Sequence, residues 1–440
     1  MQLPQKVGVN LFLARRFHPE EYPYIVAKLK ELKITSVREE ISLREVFSPP
    51  GGFERYDRAF QMLHQQGFRI LLLISDPPAP PSSLLEPSQT PLASAISTVI
   101  YRYHPVIHEY QILNEVNTQR FWGSEPNARD YAILVRQIRN KIRNLSGITL
   151  ISAGLAGPDL PYLEKLFSEG GAEVLDAFAF HPYSFPSPLK GTDLELSTEF
   201  VRRIKPKPTY ITEIGWPTST DRYGISEFFQ ARYLEEFLSL SSHIGAEYIF
   251  WYDFRDDGDD PNYFEHRMGL LDRDNREKPA FFSLKNWLSQ PPEKKNTPPL
   301  LPLRIIQKIP FSSPEIPFSI QPSPNADSYF IQIEGLPSRV FPAEFQCLQV
   351  SLSTNLVNWF IGYRWRFGEK DFFEGVMTRI VWRGERTVTA FLPMQDSLIG
   401  KSLQLEGIIL SPAKGFTPPL PGYIQIFSTA LCAEEKGISP

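Results

Sequence analysis

The chain has 440 residues, 42% hydrophobic and 13% aromatic, enough apolar material for a large core and for two domains rather than one. Its 46 basic and 50 acidic residues leave a formal net charge of -4, too weak a field to point to nucleic acid or an anionic membrane as partner. The longest apolar run, around Ile70–Ile74, is far too short to cross a bilayer, so no membrane insertion is expected.

In chain order, short apolar runs alternate with longer amphipathic segments through the first 290 or so residues. The predicted strands fall near Val7–Leu13, Thr35–Glu40, Phe68–Ser75, His108–Leu113, Ile148–Ala153, Leu175–His181, Thr209–Glu213 and Ala246–Tyr252. The predicted helices fall near Pro19–Leu32, Glu54–Gln66, Pro91–Tyr103, Ala128–Leu145, Pro161–Glu169, Asp193–Ile204, Ser226–Ser241 and Pro279–Leu288. Several open on proline in the first turn, where its missing N–H costs nothing. Eight such units suit a closed (β/α)8 TIM barrel over residues 1–288, each crossover helix covering the outside of a parallel sheet. A doubly wound open sheet is the alternative, but the glycine-rich phosphate turn usual after its first strand is missing from Asn10-Leu-Phe-Leu-Ala-Arg-Arg16.

Residues 289–299 are proline-rich and charged and read as an extended linker. Beyond them, runs such as Tyr329–Glu334, Tyr363–Phe367, Arg379–Trp382, Thr387–Phe391 and Ser402–Leu405 alternate with a period of two. Residues 300–440 therefore read as an antiparallel β-sandwich accessory domain. Trp359, Trp365 and Trp382 could give it a sugar-stacking face, or equally fill its core. Cys347 and Cys432 make no disulfide framework; free buried thiols are expected, with one bridge as the alternative.

Chemistry is expected where barrel strands end and loops begin. The fourth strand ends in Asn114-Glu115 and the seventh in Thr212-Glu213. Cleaving a glycosidic bond needs one acid and one opposed carboxylate, because the leaving alkoxide is poor and the sugar passes through an oxocarbenium-like state. Glu115 suits the acid/base, with Asn114 on a sugar hydroxyl, and Glu213 suits the nucleophile. Simple alternation sends Asn114 and Glu115 to opposite faces, so both reach one site only if the strand breaks there. Glu213 is read on the inward phase with Thr209 and Ile211. Mutual repulsion of the two carboxyls is expected to keep Glu115 protonated near neutral pH.

These motifs resemble the clan A glycoside hydrolases, most closely family 39 and its neighbours. The resemblance implies an eight-stranded barrel with the acid/base after strand four and the nucleophile after strand seven. Asn114-Glu115 matches the clan's Asn-Glu and Thr212-Glu213 its nucleophile strand. Arg38 in Val37-Arg-Glu-Glu40 matches the arginine of strand two. His181-Pro-Tyr183 matches the strand-six His-x-Tyr, whose tyrosine hydrogen-bonds the nucleophile, and Trp251 the tryptophan flooring the sugar subsite. The stretches Trp251–Gly258, Glu265–Leu271 and Lys278–Phe281 also resemble the last loop and helix start of such enzymes. Val116 departs from the proline that often follows Asn-Glu, which bears on substrate class more than on mechanism. Arg38 could otherwise neutralise a buried acid such as Glu39 or Glu40.

Trp122 and Trp216, on loops after the two glutamates, are candidate walls of the sugar site. The run Asp256, Asp257, Asp259, Asp260 lacks EF-hand spacing and reads as an ordinary acidic loop. The seven histidines show no ligand spacing, so no metal is proposed, and the mechanism needs no cofactor. The expected activity is retaining hydrolysis of a β-type linkage in an oligo- or polysaccharide. The rival is a non-catalytic carbohydrate-binding or scaffolding protein on the same fold. No signal peptide is seen, so the sequence reads as cytoplasmic, whereas a polysaccharide substrate would suggest export.

Overall fold

The computed structural model describes residues 6–47, 52–75 and 91–290 apart from 187, 190 and 222, followed by nine strands between 303 and 434. The first eight strands are β1 (Lys6–Asn10), β2 (Ser36–Ser42), β3 (Arg69–Ser75), β4 (Glu109–Ile112), β5 (Thr149–Ala156), β6 (Ala177–His181), β7 (Thr209–Ile214) and β8 (Tyr248–Trp251). They pair in parallel in that order, and β8 closes on β1, giving a barrel. The expected barrel is therefore the fold found, and each predicted strand lies on an observed one.

Side-chain period places two cores on the two faces of the barrel sheet. Leu71, Ile151, Ala177, Ala179, Tyr210, Tyr248 and Phe250 form one cluster, which fills the interior. Their strand neighbours, including Leu72, Phe178, Phe180, Ile211, Ile249 and Trp251, belong to the larger core shared with the helices. Gly8 lies on β1 because the Phe250 ring fills the space beside it: a Cβ there would stand 2.7 Å from the ring. Helix ends are set locally. Asn127 accepts from the N–H groups of Arg129 and Asp130 to cap helix Ala128–Lys141. Ser226 caps helix Glu227–Ile244, which Gly245 ends at φ 82°.

The acidic run after β8, read as an ordinary acidic loop, holds one buried carboxylate. Asp256 is 2% exposed and its Oδ1 accepts from Lys278 Nζ at 2.7 Å and from the Gly269 N–H at 2.8 Å. Asp257 pairs with Arg16 and Asp259 with Arg273. A buried lysine and a buried aspartate each need the other, since removing one leaves an uncompensated charge away from water.

The later strands are β9 (Leu303–Ile309), β10 (Ile320–Pro322), β11 (Tyr329–Gln332), β12 (Cys347–Thr354), β13 (Trp359–Arg366), β14 (Phe372–Ile380), β15 (Arg386–Pro393), β16 (Gln404–Pro412) and β17 (Ile424–Glu434). They form two sheets with antiparallel pairings, ordered β10-β11-β16-β13-β14 and β15-β12-β17-β9. The register sets Cys347 opposite Cys432, and facing residues on antiparallel strands have Cα atoms roughly 4.5–5.5 Å apart, within disulfide range. The backbone thus accommodates the bridge that the sequence left as an alternative. Linker residues 291–299 and Trp382 lie outside the described residues, and for Trp359 and Trp365 only the backbone is described.

Asp256→Ala is expected to destabilise the protein by about 3–5 kcal/mol, because Lys278 keeps its charge and loses its partner. Chemical denaturation measures it, and Asp256→Leu combined with Lys278→Met should recover most of the loss.

Candidate active site

The break needed after β4 is present. The strand ends at Ile112, and Leu113 and Glu115 take left-handed φ values of 63° and 40°, a conformation costing a non-glycine residue about 1–2 kcal/mol. Neighbouring backbone holds them there: Asn114 bridges to Gly154 on β5, and the Glu115 N–H donates to the Gly154 carbonyl at 3.0 Å. Asn117 fixes the loop further by accepting from the Ala156 N–H at 2.8 Å and donating to the Ala156 carbonyl at 3.1 Å. With alternation interrupted, Asn114 and Glu115 line one cavity.

Glu213 reaches the same cavity by a different device. The inward phase of β7 runs through Tyr210 and Thr212, not through Thr209 and Ile211; Tyr210 belongs to the interior cluster and Ile211 to the outer core. Between Ile211 and Ile214, which face Ile249 and Trp251 on β8, β7 has one more residue than its partner. Such a bulge re-aims a side chain. Thr212 and Glu213 consequently both reach the barrel's upper end.

Arg38, 0% exposed, joins four strands. Its Nη1 donates to Glu213 Oε1 at 2.7 Å and to Asn10 Oδ1 at 2.6 Å, its Nε to Gln111 Oε1 at 2.8 Å, and its Nη2 to Asn114 Oδ1 at 3.2 Å. Glu39 and Glu40 are served elsewhere: Glu39 accepts from the Leu13 N–H, and Glu40 pairs with Arg15. Tyr183 donates its hydroxyl to Glu213 Oε2 at 3.0 Å. His181 Nδ1 lies 2.8 Å from Glu115 Oε1 and its Nε2 3.0 Å from Thr212 Oγ1. Gly154 leaves room for this ring; a Cβ there would stand 2.1 Å from Nε2.

Burial raises the pKa of Glu213, but positive charge at His181 when protonated and at Arg38, with hydrogen bonds from Arg38 and Tyr183, outweighs it. The carboxyl therefore titrates below its usual range and is charged at neutral pH. One atom each of Glu115, His181 and Glu213 lies within 4.8 Å of the others. Three such groups can ligate a cation, yet here Nδ1 already sits at hydrogen-bond distance from Glu115 and a guanidinium stands on Glu213.

The cavity measures about 610 Å³, with Phe12, Tyr183, Phe185, Tyr252, Phe264 and Met268 among its walls. The three predicted tryptophans are not. Trp251 is 1%, Trp216 0% and Trp122 2% exposed. Trp251 shares the outward phase of Ile249 and packs 5.9 Å from Trp216, whose ring also meets Tyr233 and Phe237 of the neighbouring helix. Trp122 stands edge-on to Tyr131. Tyr252 lines the cavity in place of Trp251, and the period of Tyr248 and Phe250 pointed to it. Asn10, Gln111 and Thr212 also hold the site although they are not among the predicted site residues; polar side chains on the inward phase of apolar strands are the available signal.

No protein-family model matches the chain, and no curated protein matches it. Among solved structures, a monomeric β-xylosidase from Caulobacter crescentus CB15 is 13% identical, with a TM-score of 0.50 over 93% of this chain and 96% of that one. The GH39 enzyme from Xanthomonas axonopodis pv. citri is 15% identical, with a TM-score of 0.50 over 93% and 94%. A GH5_18 protein from Bifidobacterium longum subsp. infantis is 14% identical, with a TM-score of 0.50 over 65% and 80%. At these identities the likeness is one of fold, the fold that the resemblance to clan A glycoside hydrolases implied. Among the described residues, no helix is long and apolar enough to cross a membrane.

Arg38→Met removes a charge and a hydrogen bond that hold Glu213 low, so the Glu213 carboxyl is expected to titrate higher. Carbon-13 NMR of labelled glutamate reads it, and Arg38→Lys should lie between the two.

Proposed function

We propose that the protein is a retaining glycoside hydrolase acting on a β-linked oligo- or polysaccharide. The observation that carries this reading is the approach of Glu115 and Glu213 to within 4.8 Å in one cavity. Inverting enzymes hold their carboxyls about 6.5–9.5 Å apart to admit water, whereas retaining ones hold them about 5–5.5 Å apart. The different surroundings of the two acids support different roles. Glu213, charged and held by Arg38 and Tyr183, attacks the anomeric carbon while Glu115 gives a proton to the leaving oxygen. The glycosyl ester on Glu213 is then opened by a water from which Glu115 takes the proton back.

Asn114 lines the cavity next to Glu115 and is available to a sugar hydroxyl, and Tyr252, Phe12 and Tyr183 give the same cavity aromatic walls that suit the C–H side of a pyranose. The polar cavity rim, with Arg15, Glu40, Arg120 and Glu265, suits a substrate rich in hydroxyls. The antiparallel sheets beyond residue 302 are read as a β-sandwich accessory domain following a linker, in a 1–288, 289–299 and 300–440 division.

Incubation with 2-deoxy-2-fluoro β-glycosides should leave a stable adduct that peptide mass spectrometry assigns to Glu213. In Glu115→Ala, turnover of aryl glycosides with good leaving groups should be recovered by added azide, giving a β-glycosyl azide. An adduct elsewhere, or an α-azide product, would rule out the proposed roles, and silence across a broad sugar panel would favour a binding protein.

A further inference from the structure

We infer that Gln111 and Thr212 are positioning residues that fix the tautomer of His181, and through it leave Oε2 of Glu115 as the oxygen that carries the catalytic proton; the second half rests on the glycosidase reading above. The four residues involved besides Glu115 are Arg38, Gln111, Thr212 and His181, all buried in the barrel's upper layer.

The donors of Arg38 set the first direction. Arginine has five N–H donors and no acceptor, so the Gln111 amide atom 2.8 Å from Arg38 Nε is the oxygen. The amide nitrogen then faces Thr212 Oγ1 at 3.1 Å and donates to it. Thr212 keeps one hydrogen to give, and among the described residues its only other partner is His181 Nε2, at 3.0 Å. Pointing there, that hydrogen occupies the Nε2 lone pair, and the neutral imidazole carries its own hydrogen on Nδ1. Nδ1 lies 2.8 Å from Glu115 Oε1 and 3.6 Å from Glu213 Oε2, so the ring donates to Glu115.

Reversing the chain leaves loose ends. With the ring hydrogen on Nε2, Thr212 would accept from both Gln111 and His181, and its own hydrogen would have no acceptor. A buried donor left so keeps its full desolvation cost with nothing to offset it. The direction of four hydrogen bonds is thus set by the fixed charge of Arg38, which also clamps Glu213. The chain ends at Glu115. Its Oε1 is occupied by the His181 N–H, so the proton given to the leaving group resides on the other oxygen.

Nitrogen-15 NMR of labelled protein tests the chain directly, with His181→Gln used for assignment. At neutral pH the His181 ring should show a protonated Nδ1 and an unprotonated Nε2. An Nε2–H ring, or one protonated on both nitrogens, would overturn the inference. Thr212→Val keeps the shape and removes the hydroxyl. It should lower kcat on alkyl β-glycosides by about 10–100-fold, part of the effect usual for general acid catalysis, with KM little changed. The loss on dinitrophenyl glycosides, whose leaving group needs no proton, should be several-fold smaller, and Thr212→Ser should restore most of the rate. Equal losses on both substrates, or no rescue by serine, would reduce Thr212 to packing and sink the inference. If the unaltered protein hydrolyses nothing, the glycosidase reading falls, while the nitrogen signals still decide the tautomer.

Discussion

Arg38 carries a permanent charge with no exposure to water, and a charge so placed costs several kcal/mol unless acceptors surround it. Asn10 from β1, Gln111 and Asn114 from β4 and its loop, and Glu213 from β7 supply them. The upper layer of the barrel is consequently polar, ordered and joined across β2, β4 and β7, which do not neighbour one another. Each acceptor is then available to orient something else. Asn10 donates to the Thr212 and Trp251 carbonyls, holding the ends of β7 and β8, and Gln111 hands the order on to Thr212.

Local backbone conformation converts that layer into a cavity with carboxylates on its wall. Regular alternation sends successive side chains to opposite faces. Beneath the two carboxylates the backbone departs from it, through left-handed residues after β4 and through an extra residue in β7. A matching irregularity in β5, between Ile151 and Gly154, brings Gly154 under the His181 ring. There the Tyr131 hydroxyl accepts from the Ala153 N–H at 2.7 Å and Ser152 Oγ accepts from the Ala179 N–H at 2.8 Å, so the bulged backbone is not left unpaired. Strain and bulges gather where the chemistry is proposed, in keeping with strained backbone persisting where surrounding contacts over-determine it.

The loops above are joined by charge and by rings. Arg16, after β1, pairs with Asp253 and Asp257 after β8, and burial pushes Asp253 up to about 8 despite the Arg16 charge. Arg120, after β4, pairs with Glu265, after β8; these strands are diametrically opposed in an eight-stranded ring. Tyr183, Phe185, Tyr223 and Phe264 form a chain of edge-on and tilted rings with neighbouring centroids 5.3–5.8 Å apart, running from the nucleophile candidate's partner toward that ion pair. An exposed ion pair contributes at most about 1 kcal/mol, so the rings contribute more to the wall than the Arg120–Glu265 contact does.

By itself the sequence determined the eight strand-helix units, their order, and the pairing of Asn114-Glu115 with Thr212-Glu213 at strand ends. Hydrophobic period and chain order are local properties, and a closed parallel barrel turns them into geometry with little freedom. It did not determine which face a side chain takes where the period fails. Counting back from Glu213 places Thr209 and Ile211 inward because no sequence rule reveals a bulge, and the resemblance places Trp251 on the sugar floor although its neighbours' alternation favours Tyr252. Trp122 and Trp216 followed the glutamates closely in sequence, but large apolar rings gain most from full burial, and helix packing took them. Only the tertiary structure decided that Arg38 serves Glu213 rather than Glu39 or Glu40, and that Gln111, Thr212 and His181 form one directed chain. Those choices depend on hydrogen-bond distances between residues from different strands, which exist only once the barrel has closed.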